Sequence, residues 1–168
     1  MADKSRRAFM GKILAGTAGV GAVASLYAMK KTWDPLPSVM SAGFTTVDLS
    51  PLEVGKLSII KWRGKPIFLL KHGSDIERNE ARDIVTQDGS YTVVIGLCTH
   101  LGCIPEWKKD ETKFKCACHG GEYDIYARET FGPPPRPMDI PPFSVKGSSI
   151  VLGEEGPEYK KMLTLAKS

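Results

Sequence analysis

The chain has little cysteine and little histidine, and what it has is not scattered. Its four cysteines and two of its three histidines fall inside two short segments. Buried thiols and a core histidine spread by chance would not be gathered in this way. The chain also lacks a strong charge of either sign: 23 Lys and Arg stand against 19 Asp and Glu, a net charge of +4. Much of that excess lies at the N-terminus, which removes any case for a nucleic-acid partner. No internal repeat or low-complexity tract is present. Charge is missing altogether from Ile13 to Met29. Beyond that apolar stretch, the 168-residue length leaves room for one extramembrane domain of roughly 120–130 residues.

The two segments are Cys98-Thr99-His100-Leu101-Gly102-Cys103 and Cys116-Ala117-Cys118-His119-Gly120-Gly121. Each offers one thiolate and one imidazole at a short offset, Cys98 with His100 and Cys116 with His119. Soft thiolates and imidazoles in matched clusters point to a metal centre. Zinc takes mixed Cys/His sets too, but zinc fingers usually pair two Cys on one knuckle and two His on a following helix. Here each knuckle is mixed, and Gly102, Gly120 and Gly121 favour tight turns. A two-iron centre with His in place of Cys on one iron needs one Cys and one His from each side. The most economical reading is one 2Fe-2S cluster held by two Cys and two His, with the other two Cys in a disulfide. A zinc-stapled interaction module is the rival.

These residues resemble the Rieske iron–sulfur proteins of quinol:cytochrome c oxidoreductases, the cytochrome bc complexes. Lys61-Trp62-Arg63-Gly64-Lys65-Pro66 looks like the hairpin of that family's base fold, and the proline run after Gly132 looks like its Pro loop. The resemblance covers most of residues 44–152. It implies that Cys98 and Cys116 bind one iron and that His100 and His119 bind the other. It implies a disulfide between Cys103 and Cys118, a pair that oxygenase-type Rieske centres typically lack. It also implies that His119 hydrogen-bonds the quinol, with His100 exposed nearby. Leu101, Gly102, Ile104, Pro133 and Pro134 are the expected docking surface, under a rigid proline cover. The Rieske subunit of a periplasmic molybdenum enzyme, such as an arsenite oxidase, is the alternative within the same resemblance.

Charge bookkeeping supports the same role. Two ferric ions, two sulfides, two thiolates and two neutral imidazoles sum to zero, whereas an all-thiolate cluster carries two more negative charges. Reduction is therefore easier than in plant-type ferredoxins. It also strengthens proton binding at the His ligands, so an electron and a proton can be taken together, as quinol oxidation requires. Donors aimed at the sulfurs raise the potential. Tyr123 stands where the family places a tyrosine that bonds a ligand thiolate. Gly121 stands where its high-potential members have serine, which implies a lowered potential suited to a quinol such as menaquinol.

At the N-terminus, Ser5-Arg6-Arg7-Ala8-Phe9-Met10 resembles a twin-arginine export signal. With Phe9, Met10 and the stem of Lys12, the apolar run reaches the ~20 residues that span a bilayer. Ala22-Val23-Ala24 resembles a cleavage site, but the run continues past it, so a retained anchor is expected. Lys4, Arg6, Arg7 and Lys12 outnumber Lys30 and Lys31, which keeps the N-terminus cytoplasmic. A disulfide then places the head outside the cytoplasm of a bacterial inner membrane, in the periplasm.

The expected organisation is a cytoplasmic segment 1–12, a transmembrane anchor 13–29, a hinge linker 30–43, a Rieske domain 44–156 and a tail 157–168. The domain reads as mainly β, an antiparallel β-sandwich with a cluster-binding subdomain inserted at about 96–138. Strands are expected at 44–49, 55–62, 65–71, 91–95, 114–116, 122–124, 144–146 and 149–152. Ser74-Asp75-Ile76-Glu77 predicts a short helix to about Val85. Trp62 and Trp107 read as packing residues and His72 as an ordinary surface residue. The family implies cytochrome b and c-type cytochrome partners, quinol, the lipid bilayer and a dimeric complex.

Overall fold

The structure is a computed structural model of the chain and describes residues 2–36, 39 and 43–165. It divides into two units, Met1–Ser41 and Ala42–Ser168. The first is dominated by helix α1, Ala2–Trp33. Its 32 residues make a rod about 48 Å long at 1.5 Å per residue, enough to cross the ~30 Å hydrocarbon core of a bilayer. By length and composition Lys4–Trp33 is a candidate membrane span.

The helix takes in Lys30–Trp33, where a linker was expected. Lys30 and Lys31 suit the negative end of the helix dipole, and the Asp34 N–H still reaches the Lys30 carbonyl at 3.2 Å. Pro35 then disfavours helical backbone at the residue before it. Of the expected linker, residues 37, 38 and 40–42 lie outside the described residues.

Among the described residues, the second unit contains three sheets. Strands β1 (Thr45–Asp48), β11 (Ser149–Leu152) and β10 (Phe143–Lys146) form one, in that order. Strands β2 (Leu57–Trp62), β3 (Lys65–Lys71), β5 (Gly89–Ile95) and β4 (Ile84–Thr86) form the second. The third is inserted between β5 and β10 and runs β6 (Glu106–Lys108), β7 (Lys113–Cys116), β8 (Gly121–Tyr123), β9 (Glu129–Phe131). All named pairs are antiparallel. The fold is thus mostly β with an inserted subdomain, as expected.

Strand β3 shows why the layers stack. Its side chains alternate between faces. Ile67 and Leu69 join a core with Leu49, Trp62, Phe143, Ile150 and Leu152. Phe68 and Leu70 join a second core with Phe114, Tyr123, Cys98 and Cys116. The β2–β3 pair is closed by Arg63 and Gly64, both at positive φ (49° and 78°), the backbone of a two-residue hairpin turn. Helix α2, Pro157–Leu165, buries Met162 and sets Tyr159 on Phe143 at 5.8 Å between ring centres. The last three residues of the expected tail lie outside the described residues.

The helix expected at 74–85 is absent: turns lead directly into β4. Local side chains satisfy the backbone instead. The Asn79 N–H donates to Asp83 Oδ2 (2.9 Å), and the Ala81 N–H donates to Asn79 Oδ1 (3.1 Å). Arg82 then crosses to the inserted subdomain, donating to the carbonyls of Tyr126 and Met138, each at 2.6 Å.

His72 is not a surface residue either; it is only 5% exposed. Its Nδ1 lies 3.1 Å from Asp83 Oδ1 and its Nε2 lies 2.8 Å from Thr92 Oγ1. The Thr92 hydroxyl donates to the Ile125 carbonyl at 2.7 Å, so it accepts from Nε2–H. The chain His72–Thr92–Ile125 ties the second sheet to the subdomain, with Asp83 Oδ1 beside the ring.

Candidate metal centre

Strand β5 ends in the first cysteine segment, and strands β7 and β8 bracket the second. Each segment closes by the same turn. The Gly102 N–H returns to the Cys98 carbonyl at 2.8 Å, and the Gly120 N–H returns to the Cys116 carbonyl at 3.0 Å. Both glycines adopt positive φ (80° and 70°), a conformation costly for a side-chain-bearing residue. The Cys98 N–H also bonds the Cys103 carbonyl at 2.7 Å. Cys103 and Cys118 are joined in a disulfide that links the two turns, closing a loop with a sequence separation of 15.

The remaining cysteines, Cys98 and Cys116, are free and buried. The sulfurs of Cys103, Cys116 and Cys118 lie within 4.8 Å of one another. Two of these belong to the disulfide, which leaves Cys116 as the available thiolate. The His100 and His119 rings meet edge to face at 4.6 Å between centres. His119 is exposed and His100 half-buried, with its Nδ1 buried and without a hydrogen-bond partner. Two buried free thiols, two adjacent imidazoles and an unpartnered ring nitrogen are a donor set that fits a mixed Cys/His iron–sulfur centre.

The two thiols have unlike surroundings. Burial disfavours the thiolate at Cys98, but the Tyr123 hydroxyl and the N–H groups of His100 and Leu101 outweigh it, and the pKa falls. At Cys116 burial prevails over the N–H groups of Cys118 and His119, and the pKa rises. Tyr123 is fully buried. Its hydroxyl accepts from the Thr99 N–H at 2.9 Å and donates to Cys98 Sγ at 3.2 Å. Burial and the Cys98 sulfur push its own pKa up to about 12, so it remains a donor at neutral pH. The Thr99 hydroxyl donates to the Arg136 carbonyl at 2.6 Å, fastening the first loop to the proline run.

The outer surface carries Leu101, 71% exposed, with Gly102, Ile104 and Pro133 also exposed. Pro134 does not join them, contrary to its expected docking role: it is buried, with its ring packed on Gly121. Trp62 is buried in the base core, and Trp107 packs on Phe114 at 4.7 Å between ring centres. Sequence alone marks neither Thr99 nor Arg82: the one local sign for Thr99 is its place between Cys98 and His100 in the first cysteine segment, and nothing near Arg82 announces its role.

Comparison with known proteins agrees with this geometry. Residues 47–144 match the family model of the Rieske [2Fe-2S] domain. The chain is 36% identical to the mitochondrial cytochrome b-c1 complex subunit Rieske of Schizosaccharomyces pombe, covering 90% of this chain and 73% of that one. It is 34% identical to the ubiquinol-cytochrome c reductase iron-sulfur subunit of Bradyrhizobium diazoefficiens, covering 89% and 94%. Among solved structures, a chain of a hyperthermophilic respiratory Complex III matches with 33% identity and a TM-score of 0.60, over 82% of this chain and 96% of that one.

Proposed function

Because the chain belongs to the Rieske [2Fe-2S] family and is the electron-transferring Rieske subunit of a cytochrome bc1-type complex, we propose that its immediate donor is a quinol and its acceptor a c-type cytochrome. The observation that carries this reading is the exposed His119 ring set against His100 beside two buried free thiols. Cys98 and Cys116 would hold one iron of the 2Fe-2S cluster, and His100 and His119 the other. When bound, the cluster supplies a one-electron acceptor of higher potential than a plant-type ferredoxin.

The residues around it do the rest. His119, at the surface, accepts a hydrogen bond from the quinol hydroxyl and takes its proton. Leu101, Gly102, Ile104 and Pro133 offer an apolar face for cytochrome b around the quinol site. The disulfide holds the two loops together and, with Pro134, keeps water from the sulfurs. The absence of a side chain at Gly121 favours a low potential and a quinol such as menaquinol.

The subunit is membrane-anchored, and α1 is the element suited to the task. The proposed orientation keeps residues 1–12, with the twin-arginine motif, in the cytoplasm and the Rieske domain, 44–156, in the periplasm. The 13–29 segment spans the inner membrane. The proposed tether shortens to 34–43, since α1 continues to Trp33. It would let the domain move between quinol site and cytochrome within a dimeric complex.

The test is purification of the native membrane complex with electron paramagnetic resonance of the reduced material. The expected result is a mixed Cys/His two-iron signal in a complex that contains cytochrome b and is reduced by quinol. A signal that quinol does not elicit would contradict the proposed donor.

A further inference from the structure

Cys116 and Gly121 face each other across the β7–β8 pair. A Cβ at position 121 would lie 3.8 Å from the Cys116 Cβ, so a side chain there would stand beside this thiol. The same Cβ would lie 2.6 Å from Pro134 Cγ and 2.9 Å from Pro134 Cδ, closer than packed atoms tolerate. The space is therefore filled by the proline ring. Gly121 itself has no positive φ, so what its lack of a side chain accommodates is the ring and not an unusual backbone.

The ring cannot readily step aside. Pro134 is buried between Pro133 and Pro135, each with φ fixed by its own ring. Gly132 closes the same seam: a Cβ there would lie 2.9 Å from Gly121 Cα and 3.0 Å from the Gly120 carbonyl. The far side of the loop is held by the Thr99 hydroxyl on the Arg136 carbonyl.

Resting on the cluster-binding reading above, we propose that Pro134 is a positioning residue that sets the redox potential through Cys116. Its ring occupies the side-chain position opposite this ligand, excludes a hydroxyl donor from position 121 and keeps water away. Cys98 receives the Tyr123 hydroxyl, whereas Cys116 meets the N–H groups of Cys118 and His119 and the Cys98 thiol, with no hydroxyl donor of its own. A donor to a ligand sulfur stabilises the reduced, more negative state, so its exclusion lowers the potential. Position 121 and position 134 act as one unit: a hydroxyl can serve Cys116 only once the ring is gone.

The experiment compares Gly121→Ser, Pro134→Ala, the double Gly121→Ser/Pro134→Ala and the control double Gly121→Ala/Pro134→Ala. Each is made in the full chain, purified in its membrane complex and titrated by electron paramagnetic resonance. The serine double should exceed the alanine double by about tenfold in the reduced-to-oxidised ratio, ~59 mV for a one-electron couple. Gly121→Ser alone should retain less cluster and fall short of that rise. The proposal is overturned if serine raises the potential equally with Pro134 in place, or if the two doubles titrate together. Should Gly121→Ser alone fail to accumulate, that agrees with the clash, and the two doubles decide the electronic part. Wild type without a mixed Cys/His two-iron signal would overturn the reading of the site, and this proposal with it.

Discussion

The loop after Cys98 and the loop after Cys116 make the same glycine turn and return the same hydrogen bond to their first cysteine. They differ in what lies behind the sulfur. Cys98 is backed by a polar relay, Thr99 N–H to Tyr123 hydroxyl to Sγ. Cys116 is backed by Gly121 and the ring of Pro134. Burial disfavours the thiolate at both sulfurs, yet one pKa is lowered and the other raised. Local backbone design thus places a ligand, while residues distant in sequence decide how readily it carries charge.

The comparison breaks most completely if either free thiol is removed. Cys98→Ala and Cys116→Ala should each abolish the two-iron signal, measured against total iron and labile sulfide. Full signal in either variant would remove that cysteine from the ligand set. Next in size is the covalent link between the loops. Closing a loop with a separation of 15 residues is worth about 3 kcal/mol. The double Cys103→Ser/Cys118→Ser should lose about that much in denaturant unfolding and lose cluster faster.

Tyr123→Phe removes the donor that distinguishes the first loop. A hydrogen bond to a charged group contributes about 1.5 kcal/mol, so the reduced-to-oxidised ratio should fall about tenfold in a redox titration. Serine introduced with Pro134→Ala should move it in the opposite direction.

The smallest effect concerns the strands that carry the second loop. Glu122 on β8 accepts from Lys113 on β7 at 2.9 Å, and this bond lowers its pKa below 4.5. A lowered carboxyl pKa contributes stability above the unfolded value, and this is lost as pH falls through the folded one. The Tm difference between wild type and Glu122→Gln should therefore be small near neutrality and vanish in acid. A difference that grows in acid would have the wrong sign.

Much of the centre was legible because its chemistry is local: both cysteine segments lie within a few residues, and their glycines specify the turns. The continuous apolar runs of β3 and β5, buried on both faces, were legible for the same reason. The capping pattern at Ser74–Glu77 misled because Asn79 and Asp83 satisfy the backbone in a non-helical way. The burial of His72 depends on Asp83 and Thr92, which no periodicity around His72 announces. Within Pro133-Pro134-Pro135 the composition is uniform, and packing against Gly121 decides which ring turns inward. Strands β4, β6 and β9 are three residues each, too short for alternation to declare them.

The most direct measurement is pulsed electron paramagnetic resonance of the reduced, anaerobically purified chain with nitrogen-15 in its histidines. The expected result is hyperfine coupling to two imidazole nitrogens, from His100 and His119, on a two-iron centre. Coupling to a single imidazole, or to none, would contradict it.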